Sequence, residues 1–179
     1  MQEFETKVLD INVAEIEEKL KAIWATLTED TTLMKRRVFD IQAHKDESGK
    51  RFRLRQKWEK TTLTFKERWG TAIWATKELE TKVGDFETMA QILQQLPWNT
   101  TAYQENSRKM YVFNDIEFCI DAWPMIPTYL EIEWLSEEKV HEGLALLWLT
   151  GKDEWDIGVI EIYQKYGIDL HTHKVLKFE

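Results

Sequence analysis

Charged and apolar residues alternate at every second position in at least six segments of this chain. The first of these segments lies at the N-terminus, where Glu3, Glu5 and Lys7 alternate with apolar or uncharged residues. Successive side chains of an extended strand point to opposite faces, so this spacing places all three charges on one face. The alternation therefore predicts a sheet with one apolar face and one face lined by both acids and bases.

The same alternation, together with helical spacing elsewhere, predicts an α+β fold. Strands are predicted over 2–10, 31–42, 51–58, 61–69, 74–83, 103–113, 116–123 and 128–134. Helices are predicted after Asn12, after Asp85, over 137–149 and over 153–166, because apolar residues recur there at helical spacing. A sheet of about eight antiparallel strands could close into a barrel whose interior is charged. Because the sequence contains no internal repeat or flexible linker, we predict a single domain over 1–179.

Composition and missing motifs exclude several classes of protein. A net charge of −8 argues against a general nucleic-acid binder, which carries a basic excess. The single cysteine, Cys119, excludes a disulfide framework and a Cys-based zinc cluster, and it fits a reducing compartment. The sequence contains neither a P-loop nor a dinucleotide-binding motif. With no long apolar run either, we expect a cytoplasmic protein with no membrane and no nucleic acid as partner.

Acids and bases are sorted into different predicted strands. Bases concentrate in 51–58, whereas acids come in pairs two residues apart, as in Glu78 and Glu80 or Glu131 and Glu133. Carboxylates at that spacing repel each other unless a hard cation such as Mg²⁺ or Mn²⁺ joins them. Guanidinium groups on neighbouring strands bind phosphate oxygens. A solvated polar face is the alternative, but such a face would mix in uncharged polar residues. The combined pattern predicts a site for metal and triphosphate.

The charged motifs also occur in a specific order along the chain. They are Glu3-Phe4-Glu5-Thr6-Lys7, Arg53-Leu54-Arg55, Lys66, Glu78-Leu79-Glu80, Arg108, Asp121 and Leu130-Glu131-Ile132-Glu133. The first is similar to an ExExK signature, and the whole series resembles the CYTH superfamily, the triphosphate tunnel metalloenzymes. That superfamily includes class IV adenylate cyclases, thiamine triphosphatases and inorganic triphosphatases. The resemblance extends over nearly the whole chain.

This resemblance implies a closed eight-stranded barrel that encloses a tunnel, with helices outside. It implies that Mg²⁺ or Mn²⁺ is held by six glutamates, which are Glu3, Glu5, Glu78, Glu80, Glu131 and Glu133. It implies that the triphosphate is bound by five bases, which are Lys7, Arg53, Arg55, Lys66 and Arg108. Asp121 would lie close to the reacting end, and we predict Asp121, Lys66 and Arg108 as the catalytic residues.

Three functions follow from the resemblance. A triphosphatase activates water, whereas a class IV adenylate cyclase activates the ribose 3′-hydroxyl of ATP and releases cyclic AMP and pyrophosphate. The third function is a module that binds polyphosphate or a phosphorylated ligand without turnover. Asn106 stands where family members often carry another base, and this favours hydrolysis of a small, flexible triphosphate. The expected substrates are ATP, thiamine triphosphate or tripolyphosphate, and the expected state is a monomer or homodimer.

Tryptophan is more frequent than glycine, with nine Trp against seven Gly. Trp24, Trp98, Trp134 and Trp148 fall where family members often carry glycine, at a helix end or a strand exit. The position after a helix C-cap favours glycine because its φ is positive. Two interpretations stay open: these are ordinary aromatic residues, or they are UGA codons for glycine that were read as tryptophan.

Overall fold

The computed structural model describes residues 4–40, 50–69, 75–97, 100–155 and 157–179. The strands are β1 (Phe4–Val8), β2 (Thr26–Asp40), β3 (Lys50–Lys57), β4 (Lys60–Trp69), β5 (Ala75–Val83), β6 (Thr100–Phe113), β7 (Ile116–Ala122), β8 (Tyr129–Trp134), β9 (Glu154–Trp155) and β10 (Val175–Leu176). The helices are α1 (Val13–Ala22), α2 (Phe86–Gln94), α3 (Glu137–Leu146) and α4 (Val159–Lys165), and a short 3-10 helix covers Leu170–Thr172. Glu3, Trp98 and residues 41–49 lie outside the described residues.

The chain divides into two compact units, which are described separately. The first unit comprises the described residues within 33–106 and 171–179, and the second comprises those within 4–32 and 107–170. The prediction of a single domain stays a prediction.

In the first unit, the order β5-β4-β3-β2 is antiparallel throughout, and β10 pairs in parallel with β6. Helix α2 begins at the N-cap Asp85, whose side chain accepts a hydrogen bond from the Thr88 backbone N–H. The apolar core of this unit joins α2 to β2 and β3, and its buried members are Phe39, Leu54, Phe86, Ala90 and Leu93. The opposite face of β3 and β4 is thereby left for their charged side chains.

In the second unit, the strand order is β6-β7-β8-β1-β9. Helices α1 and α3 cover its apolar face, and the buried cluster includes Val8, Ile16, Leu20, Tyr111, Phe118, Leu130, Ile132, Val140 and Leu144. Helix α3 approaches β8 closely at Gly143, where an added Cβ would lie 2.8 Å from the Cγ2 atom of Ile132. The apolar residues of β1, β7 and β8 thus face the helices, and their charged residues share the other face.

The fold class is confirmed, and closure of the sheet is not seen among the described strand pairs. Antiparallel strands and four helices make an α+β fold, as predicted. Among the described strands, however, β5 has no partner other than β4, and β9 has none other than β1. The described strand pairs therefore do not close the predicted barrel. No helix in the described ranges is long and apolar enough to cross a membrane.

The prediction of a continuous helix over 153–166 is wrong in its first part. Glu154 and Trp155 form the short strand β9, which pairs with Lys7 and Thr6 at the edge of β1. The helix begins only after the N-cap Gly158. Two strand residues carry too little alternation to be recognised in a sequence, and pairing with an existing sheet edge decides their structure.

Candidate functional site

The charged face of the second unit is built by strands β1, β7 and β8. The register pairs Glu5 with Glu133 and Lys7 with Glu131, so acids and a base of two distant segments become direct neighbours. On the other side of β8, Asp121 of β7 pairs with Arg108 of β6. Six described residues of the predicted site are therefore on adjacent strands because their apolar neighbours face the helices.

Three glutamates form a compact group, here called the acidic cluster. Glu5, Glu131 and Glu133 each offer a carboxylate oxygen, and these three oxygens all lie within 4.8 Å of one another. Glu131 is buried, whereas the other two are partly exposed. Carboxylate oxygens are the ligands that Mg²⁺ and Mn²⁺ prefer. The donor set therefore fits a hard divalent cation.

Two bases, Lys7 and Arg108, border the acidic cluster and keep Glu131 ionised. Lys7 Nζ lies 2.8 Å from Glu5 Oε1 and 3.3 Å from Glu131 Oε2, and Arg108 Nη2 lies 2.7 Å from Glu131 Oε1. Burial alone would lower the pKa of Lys7, but Glu5 and then Glu131 outweigh it and raise that pKa. Burial alone would raise the pKa of Glu131, but Arg108 and then Lys7 lower it to about 2. Glu131 is thus a carboxylate at neutral pH.

Asp121 and Arg108 form a bidentate pair. Arg108 Nε donates to Asp121 Oδ1 over 2.8 Å, and Nη2 donates to Oδ2 over 2.5 Å. Burial raises the pKa of Asp121, and the charge of Arg108 opposes this rise. Burial also raises the pKa of the neighbouring Cys119 well above its ordinary value, so this thiol stays protonated and is a poor nucleophile. Two of the three predicted catalytic residues, Arg108 and Asp121, are therefore in direct contact between β6 and β7.

The first unit carries a second charged group, here called the basic face, on β3, β4 and β5. Lys66 forms an ion pair with Glu78, Arg53 Nη2 lies 4.0 Å from Glu78 Oε2, and Arg55 Nη2 lies 3.9 Å from Glu80 Oε2. The predicted metal ligands Glu78 and Glu80 thus lie beside bases in this unit.

Electrostatics on the basic face favour an anion. Burial and then the neighbouring Arg55 lower the pKa of Arg53 to about 10. Burial and then Arg53 lower the pKa of Lys66 to about 8, although Glu78 acts in the opposite direction. The bases therefore repel one another, and a bound anion would relieve that repulsion.

Two further residues share these faces and were missed as site residues. Glu117 pairs with Glu133 across β7 and β8, and its phase with Asp121 along β7 could have identified it. Arg36 pairs with Arg55 across β2 and β3, and its Nε donates to the Oε1 atom of the buried Gln104 over 2.9 Å. The position of Arg36 depends on the register of β2, which the sequence alone does not determine.

Comparisons with known proteins give a clear structural likeness. No protein-family model matches the chain, and no curated protein matches it significantly. A conserved hypothetical protein from Pyrococcus furiosus superposes with a TM-score of 0.74 at 21% identity, covering 89% of this chain and 99% of that chain. A candidate adenylate cyclase from Vibrio parahaemolyticus superposes with a TM-score of 0.74 at 11% identity, covering 92% and 98%.

The chain has the fold of these solved structures, which include a candidate adenylate cyclase. A third structure agrees, a candidate adenylyl cyclase from Hippeastrum whose dominant activity is that of a triphosphatase. It matches with a TM-score of 0.56 at 16% identity and covers 93% of this chain and 96% of that chain. The resemblance that the charged motifs indicate is therefore confirmed at the level of the fold.

Proposed function

We propose that this CYTH-fold protein is a divalent-metal-dependent enzyme that hydrolyses a small inorganic or organic triphosphate. The observation that carries the proposal is the acidic cluster of Glu5, Glu131 and Glu133, with Lys7 and Arg108 in contact with its buried member. Three carboxylates bordered by the buried Lys7 and the partly exposed Arg108 are suited to holding a cation and a phosphate side by side.

The acidic cluster would hold Mg²⁺ or Mn²⁺, and Glu3 is the further ligand that the sequence predicts. When bound, the ion would polarise phosphoryl oxygens and neutralise part of the charge of the triphosphate. Glu78 and Glu80 are proposed as further acidic ligands, in line with the resemblance, although each of them lies beside a base in the first unit.

The bases would bind and orient the triphosphate. Arg53, Arg55 and Lys66 would donate to phosphate oxygens from the basic face, and the resemblance assigns Lys7 and Arg108 to the same substrate. Arginine forks bind phosphate oxygens bidentately, whereas lysine acts as a point charge. Charge that builds up on the leaving phosphate is stabilised by groups already in place before the reaction.

Asp121 would act at the reacting end, where it would accept a proton from the attacking water. Its carboxylate is buried and is held by two hydrogen bonds from Arg108, which fix its orientation. Burial raises the pKa of Asp121 toward the working pH, which improves a carboxylate as a general base.

Adenylate cyclase activity is the second candidate, and it is favoured by the likeness to the candidate cyclase from Vibrio parahaemolyticus. Hydrolysis is preferred for two reasons. Asn106 stands where members of the resembled family often carry a base. The Hippeastrum protein, which shares the fold, has a dominant triphosphatase activity. A binding module without turnover would not account for the acidic cluster, since anion binding alone does not need three carboxylates.

One parallel assay separates the three functions. The purified protein is incubated with Mg²⁺ or Mn²⁺ and with tripolyphosphate, thiamine triphosphate or ATP. We expect release of orthophosphate, strongest with one of the small triphosphates. Cyclic AMP and pyrophosphate from ATP would instead establish the cyclase, and tight binding without any product would establish the binding module.

A matched pair of variants tests the acidic cluster. Glu133→Gln removes one charge from the cluster, and we expect a large loss of kcat together with weaker Mn²⁺ binding by calorimetry. Glu142→Gln removes a charge from the exposed surface of α3, where Glu142 forms an ion pair with Lys139 of the same helix. We expect that variant to match the wild type. Equal activity of Glu133→Gln and Glu142→Gln would overturn the metal assignment.

A further inference from the structure

Three exposed tryptophans have a backbone conformation that L-residues rarely adopt. Trp24, Trp58 and Trp148 have φ values of 62°, 56° and 53°. Their exposed fractions are 87%, 72% and 71%. Asn and Asp tolerate this left-handed region, whereas a bulky side chain there is a genuine outlier. Each of these indoles therefore occupies a strained position without gaining burial.

Trp24 and Trp148 each end a helix in a Schellman motif. After α1, Trp24 N–H donates to Lys21 O over 3.0 Å and Ala25 N–H donates to Leu20 O over 2.9 Å. After α3, the same two bonds run from Trp148 to Ala145 and from Leu149 to Leu144, over 3.0 Å and 2.8 Å. The residue at the centre of this motif is usually glycine, because only glycine adopts positive φ without a steric cost.

Helix α4 supplies a matched example within the same chain. Gly167 N–H donates to Gln164 O and Ile168 N–H donates to Tyr163 O, in the same pattern as after α1 and α3. Here the central residue is glycine, with a φ of 72°. The three helix ends are thus alike in geometry and differ in whether the central residue is Gly or Trp.

Trp58 has the third left-handed position, in the hairpin between β3 and β4. The register pairs Lys57 with Lys60, so Trp58 and Glu59 are the two loop residues. Positive φ is recorded at Trp58 and not at Glu59. A two-residue hairpin loop with positive φ at its first residue is typical of glycine at that residue.

Three other described tryptophans lie in packed environments that are usual for this residue type. Trp123 is buried and packs edge-on against Tyr163, with ring centroids 6.4 Å apart. Trp155 packs against His141, with ring centroids 4.8 Å apart. Trp134 is part of β8 and packs against the apolar core, so the backbone gives no support for glycine there. Trp98, the remaining suspected position, lies outside the described residues.

We infer that Trp24, Trp58 and Trp148 are glycine in the native protein, encoded by UGA in a gene whose genetic code assigns UGA to glycine. The two kinds of tryptophan then differ in origin. The packed tryptophans are encoded as tryptophan, whereas the exposed tryptophans with positive φ are glycine codons that were misread. A protein produced with these three tryptophans carries strain at two helix ends and one hairpin that the native protein lacks.

The codons and the native protein test this inference directly. We expect UGA at positions 24, 58 and 148 and UGG at Trp123 and Trp155. Peptide mass spectrometry of the protein from its source cells should give the mass of glycine at the first three positions. UGG at those three codons, or tryptophan in those peptides, would overturn the inference.

Stability measurements provide an independent test that does not need the source cells. Trp24→Gly and Trp148→Gly should each raise the Tm of the purified chain by about 2–4 °C, because each removes a left-handed L-residue. Trp134→Gly removes a packed side chain and should lower the Tm. If Trp24→Gly and Trp148→Gly lowered the Tm as Trp134→Gly does, the native side chains at these helix ends would be indoles and the inference would fail.

Discussion

At the scale of single residues, Glu131 links the two bases Lys7 and Arg108 on the charged face of the second unit. It contacts Lys7 and Arg108 and belongs to the acidic cluster. Hydrogen bonds to charged groups contribute about 1.5–3 kcal/mol each when one partner is removed. We therefore expect Glu131→Gln to lower the free energy of unfolding by about 1–3 kcal/mol in urea denaturation. Glu142→Gln should stay within error of the wild type, and an equal loss in both variants would refute this role of Glu131.

Two adjacent arginines on β2 provide a second test at this scale. Arg36 lies on the same side of the sheet as Arg55, and its hydrogen bond to Gln104 orients it. Arg37 lies on the other side, where its Cζ atom is 5.5 Å from the centre of the Tyr103 ring. If the basic face binds the triphosphate, Arg36→Gln should raise KM several-fold, with a smaller effect on kcat. Arg37→Gln should leave KM unchanged. A KM that rises in both variants alike would indicate a general loss of structure rather than a lost phosphate contact.

At the scale of elements, helix α1 is attached to β6 by a small polar group. Lys109 Nζ lies 2.6 Å from Glu17 Oε1, and the hydroxyl of Tyr111 donates to the same oxygen over 3.2 Å. The hydrogen bond from Lys109 lowers the pKa of Glu17, and burial opposes this change. Because the folded pKa is below the unfolded one, this contact stabilises the fold above the unfolded value of 4.5.

The stabilisation should disappear as the pH falls through the lowered pKa of Glu17. Urea midpoints measured from neutral to acidic pH should therefore decline less in Glu17→Gln than in the wild type. Glu18→Gln removes a carboxylate from an exposed position of the same helix without removing the contact to Lys109, and it should follow the wild type. Identical pH profiles for all three proteins would contradict this account of α1.

Strands with several alternating residues could be predicted from the sequence, and shorter elements could not. The segments around Arg53, Lys66, Asp121 and Glu131 are strands because their apolar neighbours recur at every second residue. Strand β9 has only two residues, and its formation depends on the exposed edge of β1. The register that places Arg36 beside Arg55 likewise depends on tertiary pairing, so the sequence placed that residue only within the predicted strand 31–42.

At the scale of the whole molecule, the fold agrees with solved structures at 11% to 21% identity. Structural likeness at that level of sequence identity indicates a shared fold, whereas the chemistry depends on individual residues. The order of the charged motifs was enough to predict this shared fold, since each motif marks one strand. The strand pairing that brings Glu5 next to Glu133 could not be predicted, because the register results from packing against α1 and α3.

The central claim is that the acidic cluster and the bases together carry out metal-dependent triphosphate hydrolysis. Its most direct test is orthophosphate release from tripolyphosphate by the wild-type chain, measured with Mn²⁺ and again after chelation of all divalent ions. The account predicts turnover with Mn²⁺ and none after chelation, with recovery when the ion is restored. Turnover that persists unchanged after chelation, or no turnover of any triphosphate with Mg²⁺ or Mn²⁺, would contradict it.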